Sequence, residues 1–282
     1  MPPHSVRLVA TDLDGTLLRD DLSLSPRTRA SLDAVRAAGI QVVPVTARQP
    51  VGVRRIAEQA GFDGWAVCSN GSLGLHLGTG ERLFESHLGV EAQRALVEAL
   101  VERVPGVLCV SVRDGGEGFV AQEGYAAIAS FEDHKREVAT MGGHPLAEVL
   151  AAPSLKLVVR HPGLAVQELA DRLAGLVAER GLAGFAVTRS GAPFLEVMAE
   201  GVSKAWGLAR LCDALGVARE EVLAFGDAPN DVEMLAWAGR GVAVANAEPV
   251  VRAAADEVTA SNEEDGVAQV LENLVGVAAA GR

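Results

Sequence analysis

Two aspartates, Asp12 and Asp14, stand one residue apart at the end of an apolar run in "SVRLVATDLDGTLL", with Gly15 and Thr16 directly behind them. Val6, Leu8, Val9 and Ala10 suit a strand covered on both faces. A carboxylate at its end therefore borders a low-dielectric interior and is costly unless a cation or a proton compensates it. Further along, Thr46 ends the apolar run "IQVVPVTAR", Asn70 and Gly71 end "GWAVCSNGS", Lys204 opens a helix-like run after "GVS", and Asp227, Asn230 and Asp231 crowd into "FGDAPND". Several carboxylates, a hydroxyl, an amide and an ammonium, if gathered at one place, suit a divalent cation and a phosphoryl group. Mg²⁺ takes carboxylate oxygens and water in octahedral geometry, with few protein ligands.

These groups meet only if the strands that carry them lie side by side. After the first strand, "SPRTRASLDAVRAAGI" predicts a helix: Ser25 can cap it, Pro26 fits its first turn, Leu32 and Val35 share a face, and Gly39 ends it. A second strand in "IQVVPVTAR", a helix in "VGVRRIAEQAGF" and a third strand in "GWAVCSNGS" follow. Strand, helix, strand, helix, strand predicts an α/β fold with a doubly wound, parallel, Rossmann-like sheet, in which ligands bind at the carboxyl ends of the strands. The rhythm returns with "FLEVM", "SKAWGLARLCDALG", "EVLAFGD", "DVEMLAWAG" and "GVAVA". The long interval between is too great for a loop and enough for a domain. Its alternating runs "LCVSVRDG", "GFVAQEG", "LKLVVRHP" and "GFAVTRSG" are interspersed with the helical "EAQRALVEALVERV" and "AVQELADRLAGLVAERG". The expected division is a core of residues 1–82 and 190–282, with an inserted α+β domain over 83–189.

The chain has 282 residues and a formal charge of −12, from 37 acidic against 25 basic side chains. That balance argues against a sequence-independent grip on nucleic acid or on an anionic membrane, but not against a phosphorylated ligand in a locally positive pocket. No apolar stretch approaches the roughly 18 uncharged residues of a membrane span, and "MPPHSVRLVATD" reaches an aspartate before a signal-peptide core could form, so a cytoplasmic protein is expected. Cys68, Cys109 and Cys212 form no C-x-x-C pair and read as buried reduced thiols. A G-x-x-x-x-G-K-[ST] phosphate loop is absent.

"DLDGTLL", Thr46 in "VTAR", Lys204 in "GVSK" and "GDAPND" resemble, in order, the four motifs of the haloacid dehalogenase (HAD) superfamily of phosphohydrolases. The "SNG" strand end, the inserted domain and the closing "GVAVANAEPVVRAAADEVTASNEEDGVAQVL" resemble its Cof-type branch, whose members carry a large α+β (type IIB) cap between the second and third motifs. The resemblance is dense over about residues 6–82 and 190–272 and architectural across the cap. It implies that Asp12 is the nucleophile, forming an aspartyl-phosphate, and that Asp14 protonates the leaving oxygen and then takes a proton from the attacking water. It further implies that Mg²⁺ is held by Asp12, the Asp14 carbonyl and Asp227, with Asp231 as an additional ligand or one step behind them. Thr46 and Lys204 form the phosphate clamp, Asn230 lies near the phosphoryl oxygens, and Ala47, Arg48 and Asn70 complete the substrate-binding set. Two positions depart from the branch: Ala47 stands where T-G-R is usual, and Ala205 follows Lys204 where K-G is usual. The added methyl narrows the permitted backbone angles, which bears on fine positioning, not on the chemistry.

The resulting expectation is a Mg²⁺-dependent phosphatase of small phosphorylated metabolites, sugar phosphates foremost, as monomer or homodimer, with the cap closing over the cleft. The alternatives are a phosphomutase and a non-catalytic ligand-binding or regulatory member. The mutases compared carry a small cap after the first motif, where Asp14 to Thr46 leaves room only for a connecting helix. A non-catalytic member would be expected to lose a catalytic group, and none of Asp12, Asp14, Lys204 or Asp227 is missing. A calcium loop at Asp12 lacks its remaining ligands. Asp227 and Asp231 can cap the following helix while also binding metal. Lys156, Arg160, His161 and Arg189 are expected on solvated surface, and Trp65, Trp206 and Trp237 in the core.

Overall fold

The computed structural model describes residues 5–280. The chain begins with β1 (Leu8–Thr11), α1 (Pro26–Ala37), β2 (Gln41–Pro44), α2 (Pro50–Ala60), β3 (Trp65–Cys68), β4 (Leu73–His76) and β5 (Arg82–Glu85). It continues with α3 (Val90–Arg103), β6 (Leu108–Arg113), β7 (Gly118–Ala121), α4 (Phe131–His134), α5 (Leu146–Val149), β8 (Lys156–Arg160), α6 (Val166–Arg180), β9 (Phe185–Thr188) and β10 (Leu195–Ala199). It closes with α7 (Lys204–Leu215), β11 (Val222–Gly226), α8 (Val232–Trp237), β12 (Arg240–Ala243), α9 (Pro249–Ala254), β13 (Glu257–Val258) and α10 (Gly266–Ala280). Two compact units result: residues up to Ala47, Val53–Leu83 and from Ser203 onward form the first, and Arg48–Gly52 with Phe84–Val202 the second.

In the first unit the sheet order is β13-β12-β11-β1-β2, and every pair is parallel. Leu8, Val9 and Ala10 are wholly buried, which places β1 at the centre with a partner on each side: Thr11 sits opposite Phe225 of β11 and Pro44 of β2. Beyond the end of β2 the pairing passes to β3 through a Val45–Val67 bridge and a 2.9 Å bond from the Thr46 amide to the Val67 carbonyl. The chain ends after Thr11, Pro44, Cys68 and Gly226 therefore fall along one edge of the sheet. Helix α1 starts where the sequence predicts, with the Ser25 hydroxyl accepting from the Thr28 amide and Pro26 in the first turn; such a cap stabilises by about 1 kcal/mol.

The second unit is an antiparallel sheet, β7-β6-β8-β10-β9. Its side chains alternate between two hydrophobic clusters, as strand periodicity requires. Cys109, Leu157, Val159, Leu195 and Val197 pack with Leu96 and Leu100 of α3 and Leu173 and Leu176 of α6. Val110, Val158 and Phe194 pack instead with Tyr125 and Met141.

The structure corrects three sequence expectations. "FLEVM" is not a strand of the parallel sheet: β10 pairs antiparallel with β8 and β9, so the second unit runs to Val202 and not to residue 189. Covered on both faces, β10 reads in sequence like a central parallel strand. Lys156 is buried, with Nζ 2.5 Å from Oε1 of the equally buried Glu196, and Arg160 is drawn in against Asp133 at 2.6 Å, so neither is a solvated side chain. The three tryptophans are only half-buried. Trp65 packs edge-on against His76, and Trp206 lies under the Arg210 guanidinium at 4.1 Å. Cys68, Cys109 and Cys212 are buried and in no disulfide, in line with the sequence reading.

Candidate active site

The site gathers at the carboxyl edge of the parallel sheet. Asp12 follows β1, its amide bonded to the Phe225 carbonyl of β11 at 3.0 Å. Gly15, at φ 78°, lets the chain turn away; any other residue would be strained there, and its Cβ would displace Asp227, whose Oδ2 would lie 2.5 Å away. The Thr16 hydroxyl donates to Asp227 Oδ1 at 2.5 Å, and Asn246 Nδ2 donates to the Gly15 carbonyl at 2.7 Å.

Lys204 opens α7 behind Ser203, whose side chain accepts from the Trp206 amide. A cation at a helix amino terminus opposes the helix dipole. Two carboxylates overcome this: the fully buried Lys204 Nζ lies 2.9 Å from Asp12 Oδ1 and 2.6 Å from Asp231 Oδ1. Asp231 spends its other oxygen on the amides of Asp227 and Ala228, at 3.1 Å each, which closes the turn between β11 and α8. Asn230 Nδ2 donates to Asn70 Oδ1 at 2.9 Å, and the Asn70 amide donates to the Thr46 carbonyl at 3.0 Å.

Asp12, Asp227 and Asp231 each bring a carboxylate oxygen within 4.8 Å of the others. Three carboxylates around one ammonium leave an excess of negative charge. Burial, reinforced by Asp231 and Asp227, raises the Asp12 carboxyl well above its ordinary range even though Lys204 pulls the other way. Burial and then Asp231 push Asp227 up to about 7, against the Thr16 hydrogen bond. For Lys204, burial alone would lower the ammonium, but Asp12 and Asp231 together outweigh it and hold it charged. A small, hard dication among these oxygens relieves the repulsion, and the all-oxygen donor set fits such an ion.

Of the residues singled out in the sequence, Asp12, Lys204, Asp227 and Asp231 thus converge directly. Asn230 joins through its neighbour Asp231 and through Asn70, and Thr46 through the Asn70 amide. Asp14 is close enough for its charge to raise Asp227. Arg48 belongs to the second unit and donates to the Gly52 carbonyl at 3.1 Å; Ala47 is half-buried at the end of the first unit's opening segment. Sequence reasoning assigned no role to Thr16 or Asn246. The hydroxyl immediately after Gly15 offered a local signal for Thr16; Asn246 carries none, since only the fold brings it to Gly15.

A central parallel strand that ends on a lysine-paired carboxylate, with further carboxylates in reach, suits phosphoryl transfer. The chain matches the family of haloacid dehalogenase-like hydrolases over residues 9–271 and belongs to it. It is 31% identical over 268 residues to a 5-amino-6-(5-phospho-D-ribitylamino)uracil phosphatase of Bacillus subtilis, covering 94% of this chain and 96% of the relative. It is 30% identical over 284 residues to a pyridoxal phosphate phosphatase of Escherichia coli, covering 95% and 98%. A solved HAD subclass IIB sugar phosphatase superposes with a TM-score of 0.80 at 22% identity, covering 95% of this chain and 98% of that one, and so shares the fold of core and inserted cap. The protein is a phosphoric monoester hydrolase. No helix among the described residues is long and apolar enough to cross a membrane.

Proposed function

We propose that the protein hydrolyses small phosphorylated metabolites, sugar phosphates foremost, with Mg²⁺ and through an aspartyl-phosphate on Asp12. The observation that carries this reading is the Asp12 carboxylate at the end of β1, held 2.9 Å from the buried Lys204 ammonium and beside two further carboxylates. Asp12, Asp227 and the Asp14 carbonyl would hold the cation, with Asp231 behind them because Lys204 and two amides already engage its oxygens. Bound there, it supplies the positive charge that offsets carboxylate–phosphate repulsion, which is about 4 kcal/mol per charge pair at 4 Å and an effective dielectric near 20.

The residues then divide the work. An Asp12 oxygen attacks phosphorus while the bond to the leaving oxygen breaks, and Asp14 gives that oxygen its proton. Water next attacks the phosphorus, Asp14 takes the water's proton, and the Asp12–phosphorus bond breaks, returning the carboxylate and releasing phosphate. Lys204, Thr46 and Asn230 supply positive charge and donors to the phosphoryl oxygens. That two relatives are named for different phosphorylated substrates, a ribitylaminouracil and pyridoxal, supports a core chemistry that does not by itself select the substrate.

The test is phosphate release across a panel of phosphorylated sugars, vitamers and nucleotides with Mg²⁺, paired with mass-spectrometric trapping of phosphate on Asp12. Turnover concentrated in small metabolites with label on Asp12 is expected. Turnover with the label on another residue, or none on the protein, overturns the mechanism.

A further inference from the structure

Between β3 and β4 three successive residues take left-handed backbone: Ser69 at φ 52°, Asn70 at φ 56° and Gly71 at φ 98°. Asn tolerates that region and Gly is at home in it, but two consecutive non-glycine residues there store strain that only their surroundings can hold. All three are buried, and the hydroxyls of Ser69 and Ser72 have no hydrogen-bond partner among the described residues. The turn is not built for its own stability.

Its contacts run to the two groups that face phosphate in the reading above. The Gly71 α-carbon packs so closely on the amino terminus of α7 that a Cβ there would fall 1.9 Å from the Ser203 carbonyl oxygen and 3.2 Å from the Lys204 amide nitrogen. Asn70 Oδ1 accepts from Asn230 Nδ2 at 2.9 Å, in a buried environment. Lys204 in turn bonds Asp231 at 2.6 Å, and Asp231 is the next residue after Asn230. Gly71, Ser203, Lys204, Asp231, Asn230 and Asn70 therefore form a closed ring of contacts, with the strained turn as its keystone.

We infer that the Ser69–Asn70–Gly71 turn is a positioning element for the phosphate grip, and that Asn70 acts on turnover through the Asn230 amide and not by touching substrate. By accepting one Asn230 N–H, Asn70 fixes the rotation of that amide. It leaves the second N–H and the Lys204 ammonium in a set geometry for the phosphoryl oxygens. This differs from the substrate contact that the sequence suggested for Asn70, and it rests on the phosphatase reading of Asn230 and Lys204.

The experiment is a double-mutant cycle of Asn70→Gly and Asn230→Ala on the full chain with Mg²⁺. It is read as kcat and KM for p-nitrophenyl phosphate, as the inhibition constant of inorganic phosphate, and as Tm. Glycine keeps the left-handed backbone but removes the whole buried side chain, acceptor included, so Tm is expected to fall modestly while the protein stays folded, and the kinetic readouts decide. KM and the phosphate inhibition constant should rise about tenfold, in the range usual for residues that orient a ligating group. In the Asn230→Ala background, Asn70→Gly should add no further loss. Additive losses would show that Asn70 meets substrate by itself and would overturn the inference, as would unchanged phosphate inhibition. If glycine prevents folding, Asn70→Ala carries the same cycle with the same kinetic expectations and a lower Tm, because alanine is strained at φ 56°. Wild-type protein without turnover would strike the phosphatase reading alone, and the cycle would then be read from calorimetric binding of inorganic phosphate.

Discussion

Replacing Asp227 by asparagine should make the cation-free protein more stable while abolishing its use of a cation. Asparagine keeps the shape and an oxygen to accept the Thr16 hydroxyl, now 2.5 Å from Asp227 Oδ1, and removes only the charge. In the fold, burial and the neighbouring Asp231 push the Asp227 carboxyl from 3.8 to about 7. Between those values the folded state holds a proton that the unfolded chain has lost. Stability linked to this group is therefore full below about pH 4 and falls as pH rises toward 7. At about 1.4 kcal/mol per decade, the loss reaches at most about 4 kcal/mol by pH 8. Urea unfolding in chelator from pH 4 to 8 should show Asp227→Asn gaining on the wild type across that window, with little difference at its acid end. Added Mg²⁺ should reverse the order by stabilising only the wild type. If Asp227→Asn were no more stable than wild type at pH 8 in chelator, the excess negative charge at the site would not be real and the argument for a dication would lose its ground.

Asp12→Asn should fold and lower turnover of p-nitrophenyl phosphate by about 10⁴-fold or more, as loss of a covalent nucleophile does elsewhere; near wild-type rates in a folded variant would refute the mechanism. Chelation should abolish turnover, Mg²⁺ should restore it, and Ca²⁺ should restore it poorly because its coordination is larger and looser, an ordering that phosphate-release assays decide. His134, buried against Phe194 and bonded to the Tyr125 hydroxyl at 2.7 Å, has its imidazole lowered from 6.5 to about 3, chiefly by burial and then by Lys156. Its unfolded state therefore takes up the proton first. Stability should fall as pH drops from 6.5 toward 3, by up to about 5 kcal/mol, and this slope should vanish from urea titrations of His134→Phe.

What the sequence made legible follows from where each signal resides. Asp12, Thr46 and Asp227 each close a short apolar run, and a parallel sheet brings such ends to one edge, so pattern led to the expectation that they meet. The start of α1 was equally local, since Ser25 and Pro26 act within one turn. The rest depends on pairing across long stretches of chain. Nothing in "FLEVM" distinguishes a central parallel strand from a doubly covered antiparallel one, and the partner of the buried Lys156, Glu196, reaches it only across the β8–β10 ladder. Asn70 stood out at a strand end as a substrate-binding residue, but its partner Asn230 lies beyond the entire inserted unit.

One contact ties two distant positions of the chain to each other. A Cβ on Gly207 of α7 would come within 2.7 Å of the Gly71 α-carbon and carbonyl oxygen, just as a Cβ on Gly71 would strike Ser203. A side chain at either position would displace the backbone facing it, so the two glycines constrain one another although Phe84–Val202 lies between them in sequence. That lock sits wholly within the first unit and sets the placement of α7 against the β3 turn. The intervening Phe84–Val202 belongs to the second compact unit, so the register of Lys204 against the β3 turn is set without it.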